Sequence, residues 1–223
     1  MKLSLLTIII LCANNNFAQD KVYWKNGFEY LYEATYLDKN GDTLSAEEVT
    51  IKATDTIFNF NQTLLYYSYS LDNINLKSKT DSILGFNKKW VNIQGEGALE
   101  GSRLWMHPFR SNQYILTEIA PFPTVPLPPA LNIITKGKTK IFSTLGNFKG
   151  TVKSTTEITA QETRDYNWGT ELNCWKIKNI GKHNKLGTSC LIVYFKENVG
   201  ILEMNYLFYN GEKMNFKLLQ TKK

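Results

Sequence analysis

Short runs rich in aromatic and β-branched residues recur along this chain of 223 residues, separated by Gly, Asn and Asp. The clearest run, residues 28–36, places aromatic side chains mostly on one face and two glutamates on the other, which is the period of a half-buried strand. The dipeptides Asn40-Gly41 and Asn210-Gly211 favour tight hairpin turns. The other predicted strands are residues 49–53, 56–60, 63–71, 86–93, 103–106, 113–119, 148–159, 172–179, 189–195, 201–209 and 213–219. About a dozen short strands predict an all-β protein, built as an antiparallel curved sheet, a half-barrel or a sandwich.

Two segments between these runs are predicted to have other structures. Residues 44–49 favour a short helical turn. Residues 95–101 nearly match a dinucleotide-binding glycine fingerprint, but Glu100 stands where the third glycine is needed and no clear helix follows. We therefore predict a flexible loop there.

All six prolines lie between Pro108 and Pro129. The densest part, residues 120–129, is called the Pro-rich segment. It cannot be a central strand, because proline has no backbone N–H to donate. We predict an extended crossover between two antiparallel halves, residues 21–119 and 131–220. The alternative is a lid or a partner-binding loop, since the prolines also have the P-x-x-P spacing that aromatic grooves recognise.

The beginning of the chain has the pattern of a secretory signal peptide. Lys2 is followed by an apolar stretch at residues 3–12 and a polar stretch at residues 14–16, and this is too short to span a bilayer. We predict a signal peptide at residues 1–18 with cleavage after Ala18, and a single β-rich domain at residues 19–223. The alternative is a lipid on Cys12, which the bulky Leu11 disfavours. Either reading places the protein in the periplasm, the cell envelope or outside the cell.

Charge and composition exclude several functions. The net charge is +6, but the basic residues are scattered except in Lys136-Gly-Lys138-Thr-Lys140 and at the last two residues. An exported chain of this kind is not expected to bind nucleic acid, while anionic lipid or polysaccharide remains a candidate for weak attraction. Two histidines and three cysteines are too few for a zinc finger, a three-histidine metal site or an iron–sulfur cluster. We expect no metal and no cofactor.

Two cysteines remain after the predicted cleavage, Cys174 and Cys190. An even number in an exported protein suggests a disulfide. The residues between them favour a turn, and a hairpin centred near Lys182 would place the two cysteines opposite each other. We predict a Cys174–Cys190 disulfide, with two free buried cysteines as the alternative.

The candidate binding residues are Trp105, His107 and Arg110, together with Phe122 in the Pro-rich segment. Aromatic rings offer a stacking surface and Arg110 a cation, which would suit an anionic or sugar-like ligand. The alternative is that this cluster only ends a strand. No catalytic residue is assigned, although two converging carboxylates, such as Glu96 and Glu100, would suffice for glycoside hydrolysis.

A resemblance to known proteins rests on residues 17–19, the cluster at residues 105–110, the Pro-rich segment, and the aromatic and glycine pattern of residues 194–211. These features resemble uncharacterised exported β-rich proteins of Bacteroidetes-type bacteria. At the level of fold, the strand pattern is similar to the LolA-like half-barrels, which carry lipid-modified cargo. The resemblance implies an exported β-rich protein and no particular activity.

These observations predict an exported, non-enzymatic binding or envelope protein that holds an apolar or amphiphilic ligand in an aromatic-lined concavity. One alternative is a secreted hydrolase acting on glycans or esters. The other is a structural envelope component that binds a partner protein through the Pro-rich segment. The candidate partners are accordingly a lipid, an amphiphile, a glycan or another envelope protein.

Overall fold

The computed structural model describes residues 23–59 and 61–223, and the predicted signal peptide with Cys12 and Ala18 lies outside them. The described residues form twelve antiparallel strands in one sheet, with two 3-10 helices and one α-helix. The strands are β1 (Glu29–Leu37), β2 (Thr43–Phe58), β3 (Gln62–Ser68), β4 (Ile93–Leu99), β5 (Arg103–Met106), β6 (Thr124–Pro126), β7 (Ile134–Ile141), β8 (Gly150–Tyr166), β9 (Gly169–His183), β10 (Gly187–Lys196), β11 (Gly200–Leu207) and β12 (Lys213–Lys222). The helices are α1 (Ile74–Leu84), an inner 3-10 helix (Asn112–Ile119) and a second 3-10 helix (Ser143–Phe148).

The strand order is β6-β5-β4-β3-β2-β1-β12-β11-β10-β9-β8-β7. The chain therefore starts at the middle of the sheet, runs outward to the edge strand β6, crosses to the other edge at β7 and returns to β12 beside β1. The sheet curls into a nearly closed barrel, and residues 127–133 connect its two edges. The predicted all-β antiparallel fold is confirmed.

Both predicted Asn-Gly hairpins are present. Gly41 and Gly211 adopt φ values of 96° and 86°, a region that glycine enters without steric cost. In the first turn, the Asp38 carboxylate accepts hydrogen bonds from the backbone N–H groups of Asn40 and Asp42 at 2.8 and 2.9 Å. These local contacts define where β1 ends and β2 begins.

The inside of the curled sheet is filled by the chain itself. Phe109 packs at its centre, with its ring stacked on Phe216 of β12 at 4.8 Å and edge-on to Tyr67 of β3 at 5.1 Å. The inner 3-10 helix follows, and all eight of its residues are buried. An aromatic-lined interior is therefore present, but the protein's own side chains occupy it.

The inner 3-10 helix corrects the prediction of a strand at residues 113–119. Asn112 has a φ of 56°, which interrupts an extended backbone. The Thr117 hydroxyl lies 2.7 Å from the carbonyl oxygen of Phe109 and 2.9 Å from that of Tyr114, so it satisfies polar backbone groups locally. A segment packed inside the barrel has no neighbouring strand with which to pair, so its apolar, β-branched composition does not produce a strand.

Three further predictions about local structure are wrong. Residues 95–101 are not a loop, because β4 covers most of them, and the strand predicted at residues 86–93 is absent up to Ile93, where β4 begins. Gly97 leaves room in β4 for the end of the Gln62 side chain, which comes from the adjacent strand β3. Residues 44–49 belong to β2 rather than to a helical turn.

The predicted disulfide is also wrong, and both cysteines are free. The turn between β9 and β10 lies between His183 and Gly187, about three residues beyond the predicted centre at Lys182. Cys190 consequently lies opposite Ile180, six residues along β9 from Cys174. At about 3.3 Å per residue the two cysteines are roughly 20 Å apart along the strand, whereas a disulfide needs Cα atoms within about 7 Å.

Candidate functional site

A cavity of about 400 Å³ lies where the two edges of the sheet approach each other. We call it the seam cleft. One side is formed by β5, the loop after it and the Pro-rich segment, and the other by β7 and the start of the second 3-10 helix. Its lining residues are Trp105, His107, Arg110, Glu118, Phe122, Thr139, Lys140, Ile141, Phe142, Thr144 and Leu145. The four candidate binding residues from the sequence therefore all line one cavity.

The alternation of β5 explains why two of these residues face the cleft. Leu104 and Met106 are completely buried in the core, so Trp105 points to the other face and His107 follows it. The backbone of His107 is fixed at both ends, since its N–H donates to Gly97 O at 3.2 Å and its carbonyl accepts from the Tyr67 hydroxyl at 2.7 Å.

Phe122 completes an aromatic triad with Trp105 and His107. The ring centroids are 4.8 Å apart for Trp105 and His107, 5.2 Å for His107 and Phe122, and 5.9 Å for Trp105 and Phe122. Pairing of β5 with β6 places Thr124 opposite Trp105 and so holds the Pro-rich segment against β5. These edge-on and tilted arrangements leave an apolar surface with a single polar ring in it.

His107 has an unusual electrostatic environment. Burial, and then the positive charge of Arg110, lower the pKa of its imidazole to about 3. The ring is therefore neutral at ordinary pH, and it is a weak base. Its Nδ1 atom is buried and has no hydrogen-bond partner. A buried polar atom left unpaired is costly, and a ligand that supplies a hydrogen bond would remove that cost.

Arg110 lies at the inner end of the cleft between two buried carboxylates. Its Nε and Nη2 donate to the two oxygens of Glu96 at 2.7 and 2.6 Å, and its Nη1 donates to Glu118 at 3.1 Å. Burial alone would lower the pKa of Arg110, but the hydrogen bonds with Glu96 and the charge of Glu118 outweigh it and raise the pKa. Arg110 is thus charged, and it is already engaged by protein carboxylates.

The carboxylates considered for glycoside hydrolysis do not converge as a free pair. Glu96 is only 1% exposed and held by Arg110. Burial raises the pKa of Glu96, and the hydrogen bonds from Arg110 oppose that effect. Glu100 instead accepts the backbone N–H groups of Tyr23 and Trp24 at 3.0 and 2.6 Å. Within the described residues, no group of three or more His, Cys, Asp or Glu side chains is placed to hold a metal ion.

The sequence did not identify the residues on the far side of the cleft. They are Lys140 of β7, Phe142 between β7 and the second 3-10 helix, and Leu145 of that helix. The segment that becomes β7, residues 134–141, alternates lysines with small polar residues and offers almost no apolar face. Only the curling of the sheet brings it near β5, and nothing local in the sequence reports that.

No protein-family model matches the chain, and no curated protein matches it. Among the solved structures that are similar to it is a predicted exported protein with a YmcC-like fold from Bacteroides fragilis. It is 10% identical with a TM-score of 0.47, over 89% of this chain and 97% of that one. A predicted lipoprotein from Parabacteroides distasonis is 15% identical with a TM-score of 0.47, over 89% and 96%. The hypothetical lipoprotein YmcC of Escherichia coli is 9% identical with a TM-score of 0.42, over 90% and 91%. The resemblance to uncharacterised exported proteins of Bacteroidetes is confirmed as a likeness of fold, and it carries no activity.

Proposed function

We propose that the protein is an exported, non-enzymatic binding protein that holds an amphiphilic ligand in the seam cleft. One observation carries the proposal: His107, whose Nδ1 atom has no hydrogen-bond partner within the protein, lines the cleft together with Trp105 and Phe122. Ligand sites are typically cavities of about 300–1,000 Å³, largely apolar and with few polar groups that fix orientation. At about 400 Å³ the seam cleft falls in that range.

The ligand chemistry follows from the lining. Trp105, Phe122, Phe142 and Leu145 would contact an apolar body. A hydroxyl or amide group would pair with the neutral His107. Arg110 is already bound to Glu96 and Glu118, so a ligand anion gains little there. A small amphiphile with an uncharged polar group at His107 therefore fits the part of the cleft near Arg110. Lys140, whose ammonium lies over the Phe142 ring, is the lining cation left for an acidic group on the β7 side.

Binding is tested by titrating the purified protein with a fluorescent amphiphile, N-phenyl-1-naphthylamine, and by native mass spectrometry of protein isolated from its own compartment. We expect Trp105→Ala and Phe122→Ala each to weaken probe binding by about tenfold, since a buried aromatic contact contributes on the order of 1.5 kcal/mol. Trp168→Ala is the matched control, because Trp168 is 41% exposed in the turn between β8 and β9. The proposal fails if the unaltered protein binds no probe and carries no co-purified molecule.

Export has a separate test. The predicted cleavage gives a chain that begins at Gln19, whereas a lipid on Cys12 would leave a longer, lipid-modified chain. The intact mass of the protein from fractionated cells distinguishes these forms. A mass that retains residues 1–18 in the cytoplasmic fraction would contradict export while leaving the binding proposal standing.

A further inference from the structure

The outer face of β7, β8 and β9 carries an open groove of about 460 Å³ that is separate from the seam cleft. Four lysines line it, and together we call them the lysine patch: Lys136 and Lys138 from β7, Lys153 from β8 and Lys182 from β9. All four are exposed. The other lining residues are Gly137, Ser154, Thr155 and Ile180, so no acidic residue lines the groove.

The strand register makes this patch energetically unusual. Lys138 lies directly opposite Lys153, which in turn lies directly opposite Lys182. Neighbouring strands are about 4.8 Å apart, and like charges directly opposite each other destabilise a sheet. The ion pairs formed by the described residues include none of the four lysines. Along this face the acidic residue nearest to the patch by register is Glu157, which lies opposite Lys178 and Ile134.

Protection of the sheet edge accounts for only part of this arrangement. Lysines on an edge strand discourage pairing with other molecules, which would explain Lys136 and Lys138 on β7. Edge protection does not explain Lys153 and Lys182, since β8 and β9 both have neighbouring strands on each side. Three adjacent strands share the positive charge, so a ligand for the whole face is the simpler explanation.

Apolar side chains stand among these charges. Ile180 lines the groove and is 40% exposed, and Ile134 on β7 is 58% exposed. Basic residues interspersed with exposed apolar ones are typical of surfaces that bind at the interface of an anionic membrane.

We propose that the lysine patch binds the anionic headgroups of a lipid bilayer. The charges are spread over three strands rather than gathered at one point, so they match many headgroups better than a single phosphate ion. The exposed isoleucines would contact the region just below the headgroups, which a soluble polyanion does not offer. Each lysine near an anionic bilayer multiplies binding by about fivefold, so three lysines contribute on the order of 100-fold at low salt.

The test is flotation of the protein that begins at Gln19 with vesicles of phosphatidylglycerol mixed with phosphatidylcholine, compared with phosphatidylcholine alone. We expect binding only to the anionic vesicles, with loss at high salt because charges are screened. The variant Lys138→Gln/Lys153→Gln/Lys182→Gln should bind at least about tenfold more weakly. The matched control Lys39→Gln/Lys89→Gln/Lys213→Gln removes the same charge from exposed lysines on other parts of the surface and should bind as the unaltered protein does.

Three results would overturn the proposal. The first is failure of the unaltered protein to float with anionic vesicles. The second is equal weakening by the two triple variants, which would mean that only net charge matters. The third is binding of dextran sulfate or inorganic phosphate through the patch without binding of vesicles, which would assign the site to a soluble anion. Melting temperatures of both variants verify folding, and a Trp105→Ala variant should float normally, so failure of the cleft proposal leaves this one intact.

Discussion

At the scale of single residues, Arg110 is the cation that forms ion pairs with two buried carboxylates, Glu96 and Glu118. Glu96 and Glu118 are 1% and 7% exposed. Removing one member of a buried ion cluster costs about 3–5 kcal/mol, because the remaining charge loses its compensation. We therefore expect Arg110→Ala to lower the free energy of unfolding by that amount, measured by urea denaturation.

A second substitution separates the lost charge from lost packing. Glu96→Gln in the Arg110→Ala background removes one of the orphaned charges and should restore part of the stability. If the double variant is as unstable as Arg110→Ala alone, packing of the arginine side chain accounts for the loss. Lys52→Ala, at an exposed ion pair with Glu29, is the control and should cost less than about 1 kcal/mol.

The free energy of unfolding should depend on pH through His107. Its pKa is about 3 in the folded protein and near 6.5 when unfolded, so between these values the unfolded chain binds more protons. Stability contributed by this group is thus present above pH 6.5 and is lost as the pH falls toward 3. Between pH 7.5 and 4.5 the unaltered protein should lose roughly 2.5 kcal/mol of free energy of unfolding that His107→Phe retains.

Urea denaturation of both proteins at the two pH values measures this difference. A parallel readout is the NMR shift of the His107 ring, which we expect to stay that of a neutral imidazole down to about pH 4. A ring that titrates near pH 6.5 would contradict both the burial and the unpaired nitrogen on which the cleft proposal depends.

At the scale of elements, Asn112 attaches the inner 3-10 helix to the loop before β4. Its side chain accepts a hydrogen bond from Val91 N–H at 3.0 Å and donates to the carbonyls of Val91 and Ser70 at 2.8 and 3.0 Å. Each such bond contributes about 1 kcal/mol. We expect Asn112→Ala to lower the free energy of unfolding by about 4–5 kcal/mol, of which about 1–2 kcal/mol comes from backbone strain.

Asn132→Ala is the matched control for that strain. Asn132 has a φ of 63°, close to the 56° of Asn112, but its side chain is exposed. Its substitution should cost only about 1–2 kcal/mol, the price of a left-handed backbone without asparagine. Equal losses in the two variants would show that the hydrogen bonds of Asn112 contribute nothing measurable.

The elements also explain which parts of the fold could be predicted from the sequence. Turn residues act locally, so Asn40-Gly41 and Asn210-Gly211 identified their hairpins. Strand register is harder to predict, because an error of three residues in the position of a turn shifts the cross-strand partner by six residues. This shift separates Cys174 from Cys190. The inner 3-10 helix looked like a strand because it has the same composition, and only its packing inside the barrel decides otherwise.

Only the part of the candidate site that is close together in the sequence could be predicted from it. Trp105, His107, Arg110 and Phe122 lie within eighteen residues of one another and meet through the pairing of β5 with β6. Phe142 and Leu145 reach the cleft only when the two edges of the sheet come together. Such a long-range closure leaves no local pattern in the sequence.

At the scale of the whole molecule, the chain consists of two sets of strands, β1–β6 and β7–β12, joined covalently only through residues 127–133. They also share a long contact, since β1 pairs with β12 from Glu29 and Lys222 to Leu37 and Lys213. Phe109 from the first set stacks on Phe216 from the second at 4.8 Å. The barrel should therefore survive a cut in the connection.

A protease site inserted after Leu131, which is 52% exposed, tests this. After cleavage we expect the two fragments to elute together in size-exclusion chromatography and to separate only in denaturant. Their unfolding midpoint should rise with protein concentration, because folding then requires association of two chains, while the uncut insertion variant shows no such dependence. Fragments that separate under native conditions would mean that the connection, rather than the β1–β12 pairing and the shared aromatic core, holds the edges of the seam cleft together.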